Sequence, residues 1–184
     1  MKRRAAVAAV GAFAAMLGGC STGGKAAGDD LLASETGTPG FEAREAEIVE
    51  TGADGAPRYR VSARTVTQDP ASRVVRLDSV RMRVEDDAKG GWDIAALHGL
   101  MPPEADAIEL RGDVNIRGLP YGGRAPLELR SDKVHYEFDS SVARSDTEVT
   151  IRYNGQQLSA RGLEARLKEQ RVRLESDVHG RFSP

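Results

Sequence analysis

The stretch Ile108-Glu109-Leu110-Arg111-Gly112-Asp113-Val114-Asn115-Ile116 decides how this chain folds. Ile108, Leu110, Val114 and Ile116 alternate with Glu109, Arg111, Asp113 and Asn115. A period of two puts apolar side chains on one face of extended backbone and charges on the other. Gly112 and Asp113 interrupt the alternation and predict a bulge or tight kink between two short strands. The same arrangement returns as VRLESDVHG, Val172 to Gly180, and more loosely as VVRLDSVRM, Val74 to Met82. One strand-pair unit is written several times.

Four groups carry the repeat. Tyr59-x-Val61-x-Ala63, Trp92-x-Ile94-x-Ala96, Leu127-x-Leu129-x-Ser131 and Gln156-x-Leu158-x-Ala160 are each followed, after 17 or 18 residues, by a valine: Val80, Val114, Val149 and Val178. Repeats of this length signal stacked supersecondary units, none of which can bury an apolar face alone. Further alternating runs lie between them: Val134, Tyr136, Phe138; Val149, Ile151, Tyr153; Leu163, Ala165, Leu167.

Two segments pull toward helix on propensity. Glu42 to Glu50 favours helix by its Ala, Glu and Arg content, but Ile48 and Val49 run into a turn at Gly52-Ala53-Asp54-Gly55 and predict a strand. Leu163 to Leu174 is equally helix-friendly, yet the repeat register predicts two strands joined at Lys168-Glu169-Gln170. Further turns are expected at Asp69-Pro70, Lys89-Gly90-Gly91, Met101-Pro102-Pro103, Tyr121-Gly122-Gly123 and Asn154-Gly155. The expectation is an all-β, antiparallel fold.

The chain has 184 residues, enough for one domain with a core of its own. Its first residues read as targeting. Lys2, Arg3 and Arg4 precede the uncharged run Ala5 to Met16, and Leu17-Gly18-Gly19 leads to the single cysteine, Cys20. This order resembles a bacterial lipoprotein lipobox, with Cys20 as the lipidated residue. An uncleaved signal anchor is the alternative, although Ala5 to Gly19 at about 1.5 Å per residue falls short of a ~30 Å hydrocarbon core. Either way the remainder faces away from the cytoplasm. Residues 20–40, rich in Gly, Ala, Thr and Asp, read as a flexible tether, and 41–184 as the folded domain.

Composition and spacing exclude several functions. No second cysteine is available for a disulfide. Loss of three basic residues with the signal leaves 23 basic against 28 acidic side chains, which disfavours nucleic acid as a partner. His98, His135 and His179 stand apart, with no metal-ligand spacing, no nucleophile–base pair and no phosphate loop, so neither catalysis nor a cofactor is expected. Acidic residues beside arginines, such as Glu109/Arg111 and Arg173/Glu175, read as cross-strand charge pairs on a solvated face. The basic set Arg161, Arg166, Lys168, Arg171 and Arg173 reads the same way, or as a rim meeting lipid phosphates.

The order of motifs resembles the LptC family, the periplasmic component of the lipopolysaccharide export machine. The residues that carry it are Gly55-x-x-x-Tyr59-x-Val61-x-Ala63, Trp92-x-Ile94-x-Ala96, Leu110-x-Gly112-x-Val114-x-Ile116, Ser145-Asp146-x-x-Val149-x-Ile151, Ala160-x-Gly162-Leu163 and Leu174-x-Ser176-x-Val178-x-Gly180. The resemblance spans roughly Phe41 to Phe182. It implies a twisted, half-open β-jellyroll that binds lipopolysaccharide acyl chains. Residues sharing the apolar phase are the candidate lipid contacts: Val61, Val80, Trp92, Ile94, Leu110, Val114, Ile116, Leu129, Val149, Leu158, Leu174 and Val178. It also implies an N-terminal edge that meets an inner-membrane ABC exporter. The C-terminal edge, Val172, Leu174, Ser176, Val178, Gly180 and Phe182, would meet an LptA-like bridge protein. The resemblance further implies an inner-membrane location facing the periplasm. The lipobox departs from the family's usual membrane-spanning helix, and Ser21 after Cys20 would by itself suggest outer-membrane sorting.

Overall fold

The computed structural model describes residues 40–85, 91–119 and 125–181. The expected signal or anchor at 1–19, Cys20, all of the tether but Gly40, Lys89 and Gly90 of the turn before Gly91, the turn Tyr121-Gly122-Gly123 and Phe182 lie outside the described residues. Nine strands follow one another: β1 Phe41–Thr51, β2 Pro57–Gln68, β3 Val75–Val84, β4 Trp92–Met101, β5 Ala107–Gly118, β6 Leu127–Glu137, β7 Val142–Tyr153, β8 Gln156–Arg166 and β9 Arg171–Arg181. They form one antiparallel sheet in consecutive order, and no helix occurs among the described residues. Among the described residues the sheet does not close: β1 and β9 each pair on one side only.

Both helix-prone segments are extended. Glu42 to Glu50 lies in β1, and Leu163 to Leu174 is divided between β8 and β9 by a turn at Leu167–Gln170. Pairing decides this outcome, because a helix this short is marginal on its own, whereas each strand joins the sheet's hydrogen-bond ladder and packs its apolar phase with its neighbours. Asn154 and Gly155, at φ 48° and 76°, make the two-residue hairpin between β7 and β8.

The opening stretch is one strand of 12 residues rather than two short ones. The interruption is a bulge: pairing with β6 shifts between Arg111 and Val114, where Gly112 and Asp113 take φ of 76° and 46°. Ser79 in β3 and Asp177 in β9 sit at the same place before Val80 and Val178, with φ of 54° and 50°. In β7 the bulge has no left-handed residue and is held by hydroxyls instead. The Ser131 and Ser145 oxygens lie 2.9 Å apart, each within 3.0 Å of the Thr147 hydroxyl, and Ser131 donates to the Glu148 carbonyl at 3.0 Å. The valines meet the next copy in register, as Val80 opposite Ala96, Val114 opposite Ser131 and Val149 opposite Ala160. The repeating unit is therefore a hairpin, β2–β3, β4–β5, β6–β7 and β8–β9.

With no helix among the described residues to cover it, the apolar face is covered by the sheet's own far half. The Tyr59 ring, at the start of β2, stacks on Phe138 just past the end of β6, with centroids 4.2 Å apart. Trp92, at the start of β4, donates its indole N–H to the Leu167 carbonyl just past the end of β8, at 3.1 Å. The two contacts are equivalent in the repeat, and each joins a hairpin to the second one after it. A twist of about 20–25° per strand brings strands four apart to nearly a right angle, so the start of one meets the end of the other.

Candidate functional site

Of the twelve residues expected to touch lipid, nine are buried: Val61, Val80, Trp92, Ile94, Leu110, Val114, Ile116, Leu129 and Val149. Together with Leu77, Ile108, Val134, Tyr136 and Leu163 they form a packed core. Their alternation places them inward, and each aliphatic side chain removed from water contributes about 1.5–3 kcal/mol. At the middle of the roll the protein's own side chains fill the space, with Ile108, Leu110 and Val114 at 0% exposure. The acyl-chain contacts that the resemblance implies along the whole apolar phase therefore meet a filled centre there.

The remaining three lie toward the C-terminal edge. Leu158 and Leu174 are half-buried against the core, and Val178 is 53% exposed. Val178 has the inward phase of Val114 but no covering layer. The edge residues Val172 and Leu174 are half-buried, whereas Ser176, Val178 and Gly180 are exposed along β9.

A cavity of about 250 Å³ occupies this end of the roll. Trp92, Ile116, Leu127 and Leu129 form one side, Ala165 and Leu167 the other, and Tyr153 and Val172 complete the apolar lining. Arg166, Gln170 and Arg171 also line it. The third-copy residue Leu127 explains the opening. Tyr59 and Trp92 each meet the end of the fourth strand onward, and among the described residues no strand stands in that position for Leu127. Leu127, Tyr153, Ala165 and Leu167 belong to the alternating runs of the sequence. Position beside the sheet's open end, which spacing does not encode, is what makes them cavity residues.

Gly118 is what allows Trp92 to lie where it does. A Cβ on Gly118 would come within 2.4 Å of the indole ring. The latch from Trp92 to Leu167 thus depends on a bare backbone position at the end of β5.

Charges ring the site, and the two that line it, Arg166 and Arg171, are both paired with carboxylates. Glu164 accepts from Arg166 at 3.0 Å and from Arg144 at 3.2 Å, and these bonds hold its carboxyl below the usual range. Arg144 also bonds Glu137, while Glu169 pairs with Arg166 at 3.3 Å and Arg171 at 3.6 Å. The basic C-terminal set is thus interleaved with acids, as expected of a solvated face. Glu109 and Arg111 pair within one strand at 2.5 Å, and Lys133 supplies the cross-strand contact at 4.0 Å. His135 and His179 are exposed on the sheet, and His98 pairs with Asp78 at 2.8 Å. Among the described residues no cluster of His, Cys, Asp and Glu could hold a metal. No helix among them is long and apolar enough to cross a membrane.

The fold is similar to that of LptH from Pseudomonas aeruginosa, the LptA-homologous periplasmic component of a lipopolysaccharide transport device, known from a crystal structure. The TM-score is 0.54 at 9% identity, over 68% of this chain and 95% of that one. No curated protein sequence matches the chain. The family model described as "Lipopolysaccharide-assembly, LptC-related" matches residues 7–183. The chain therefore belongs to the LptC family, whose role is non-enzymatic and lies in lipopolysaccharide transport.

Proposed function

We propose that this protein receives lipopolysaccharide from an inner-membrane ABC exporter and passes it to an LptA-like bridge protein, holding acyl chains at the open end of a half-open jellyroll. The observation that carries this reading is the cavity walled by Trp92, Ile116, Leu127, Leu129 and Leu167, which reaches Val172 on β9, the edge strand paired with β8 on one side only. An apolar cavity of about 150 Å³ takes up benzene, so one of 250 Å³ suits a segment of acyl chain. The rest of the chain would continue along Leu174 and Val178. A partner adding a strand to β9 would cover those residues and lengthen the trough, satisfying the edge's free N–H and C=O groups. The β1 edge offers the same chemistry to the exporter. Anchoring through Cys20 or the segment before it keeps the domain at the inner membrane, facing the periplasm.

Photo-crosslinkers at Tyr153, Val172 and Val178 in living cells test this reading. Capture of lipopolysaccharide at these positions supports it; a folded, expressed protein that captures none at any of them overturns it. Val178→Pro is expected to weaken docking of the bridge protein, since proline removes a donor and stiffens the edge. The filled centre of the roll favours a second reading, a scaffolding lipoprotein with a closed core. That reading requires normal partner assembly with no lipid captured.

A further inference from the structure

The outer face carries a second concavity, at the end of the sheet where β2 and β4 begin. Its volume is about 420 Å³, and Glu47, Arg60, Ser62, Arg81, Met82, Arg83, Asp93, Ile94, Ala95, Asn115 and Arg117 contribute to it. Pairing places the outward residues in two rows. Arg60, Arg83, Asp93 and Arg117 lie across β2 to β5 in one, and Ser62, Arg81, Ala95 and Asn115 in the other. The short side chains of Ser62 and Ala95 make the floor between long arginines. Four guanidinium groups face two carboxylates here, in a chain whose formal charge is −2.

The four arginines are unequally compensated. Arg83 bonds Asp93 at 2.8 Å and lies 3.6 Å from Glu85, and Arg60 reaches Glu47 and Glu85 at 3.8 Å each. Arg81 and Arg117 have no carboxylate within 4.0 Å among the described residues, and Arg117 acts on Glu128 only through space. Glu128 is already bonded to Arg130 and to the Asn115 amide, at 2.8 and 2.7 Å. The opposite end of the outer face differs, since Glu137, Arg144, Glu164, Arg166, Glu169 and Arg171 neutralise one another there. Arg81 and Arg117 are two strands and two residues apart, roughly 12 Å between backbones at about 4.8 Å per strand and 3.4 Å per residue. Two guanidinium forks at that separation can converge on one tetrahedral oxyanion.

We infer that this outer groove binds a phosphate-type oxyanion between Arg81 and Arg117, above Ala95. The groove lies on the face opposite the apolar cavity, so it acts independently of acyl-chain binding. A phosphate ester of a lipid headgroup and free inorganic phosphate share the necessary chemistry.

The test uses the full chain in detergent micelles. Binding of inorganic pyrophosphate, and separately of phosphatidylglycerol in mixed micelles, is measured for wild type, Arg81→Gln/Arg117→Gln and Arg173→Gln. Arg173→Gln removes an equal kind of charge from β9, far from the groove. The expected result is a loss of about tenfold or more in the double variant for at least one probe, unchanged binding in Arg173→Gln, and weakening with salt. Loss for pyrophosphate identifies a soluble phosphate as sufficient; loss for phosphatidylglycerol alone identifies a headgroup. Arg81→Lys/Arg117→Lys should retain part of the affinity, separating charge from fold. Equal affinity of the double variant and Arg173→Gln for both probes, or no binding by wild type, overturns the inference.

Discussion

Val114 and Val178 end the same motif, each preceded by an aspartate with positive φ, yet one is 0% and the other 53% exposed. The strands carrying them, β5 and β9, have the same alternation and the same bulge. The difference is what lies on either side. β5 is hydrogen-bonded to β4 and β6 and faces the far half of the sheet, whereas β9 has β8 alone. Alternation thus specifies which way a side chain points, and neighbours decide whether anything covers it.

The largest effect expected from this contrast is on stability. Val114→Asp buries an unpaired charge and should cost about 4 kcal/mol or more, while Val178→Asp should stay within about 0.5 kcal/mol. Urea denaturation of the two variants measures both; equal losses would break the comparison.

The closing contact of the first repeat gives the next effect. Burial is the main cause that pushes the Tyr59 hydroxyl up to about 12 from its ordinary 10.0. The neutral form is favoured in the folded state, so this stability is fully present below pH 10 and is lost as pH rises through 12. The difference corresponds to roughly 2–3 kcal/mol. Melting temperatures between pH 9 and 12 should fall steeply in wild type and less in Tyr59→Phe; parallel curves would remove Tyr59 as the cause.

Gly118→Ala sharpens the comparison at the second repeat. A methyl group there collides with Trp92, and overpacking of this kind costs about 1–3 kcal/mol. Trp92 is the only tryptophan, so its fluorescence reports the displacement directly. Unchanged emission together with unchanged stability would show that the indole does not depend on the bare backbone.

Much of this architecture was legible in advance. Strand phase, the hairpin repeat, the turn at Asn154-Gly155 and the division of Leu163 to Leu174 into two strands all follow from side-chain period and turn chemistry. The candidate site was legible only in part. Trp92, Ile116 and Leu129 line the cavity, but Val61, Val80 and Val114 share their phase and lie instead in solid core. Period two cannot distinguish these groups, because both point inward. The contrast between the paired Arg60 and Arg83 and the less compensated Arg81 and Arg117 was equally hidden, since each sits among charges that spacing alone would balance.

The sequence by itself determined a repeated, one-sided ribbon, because alternation and left-handed bulge residues are local properties of the backbone. Tertiary structure alone decided where that ribbon covers itself. Accumulated twist brings each hairpin onto the second one after it, which fills the centre and leaves the last apolar positions uncovered beside β9.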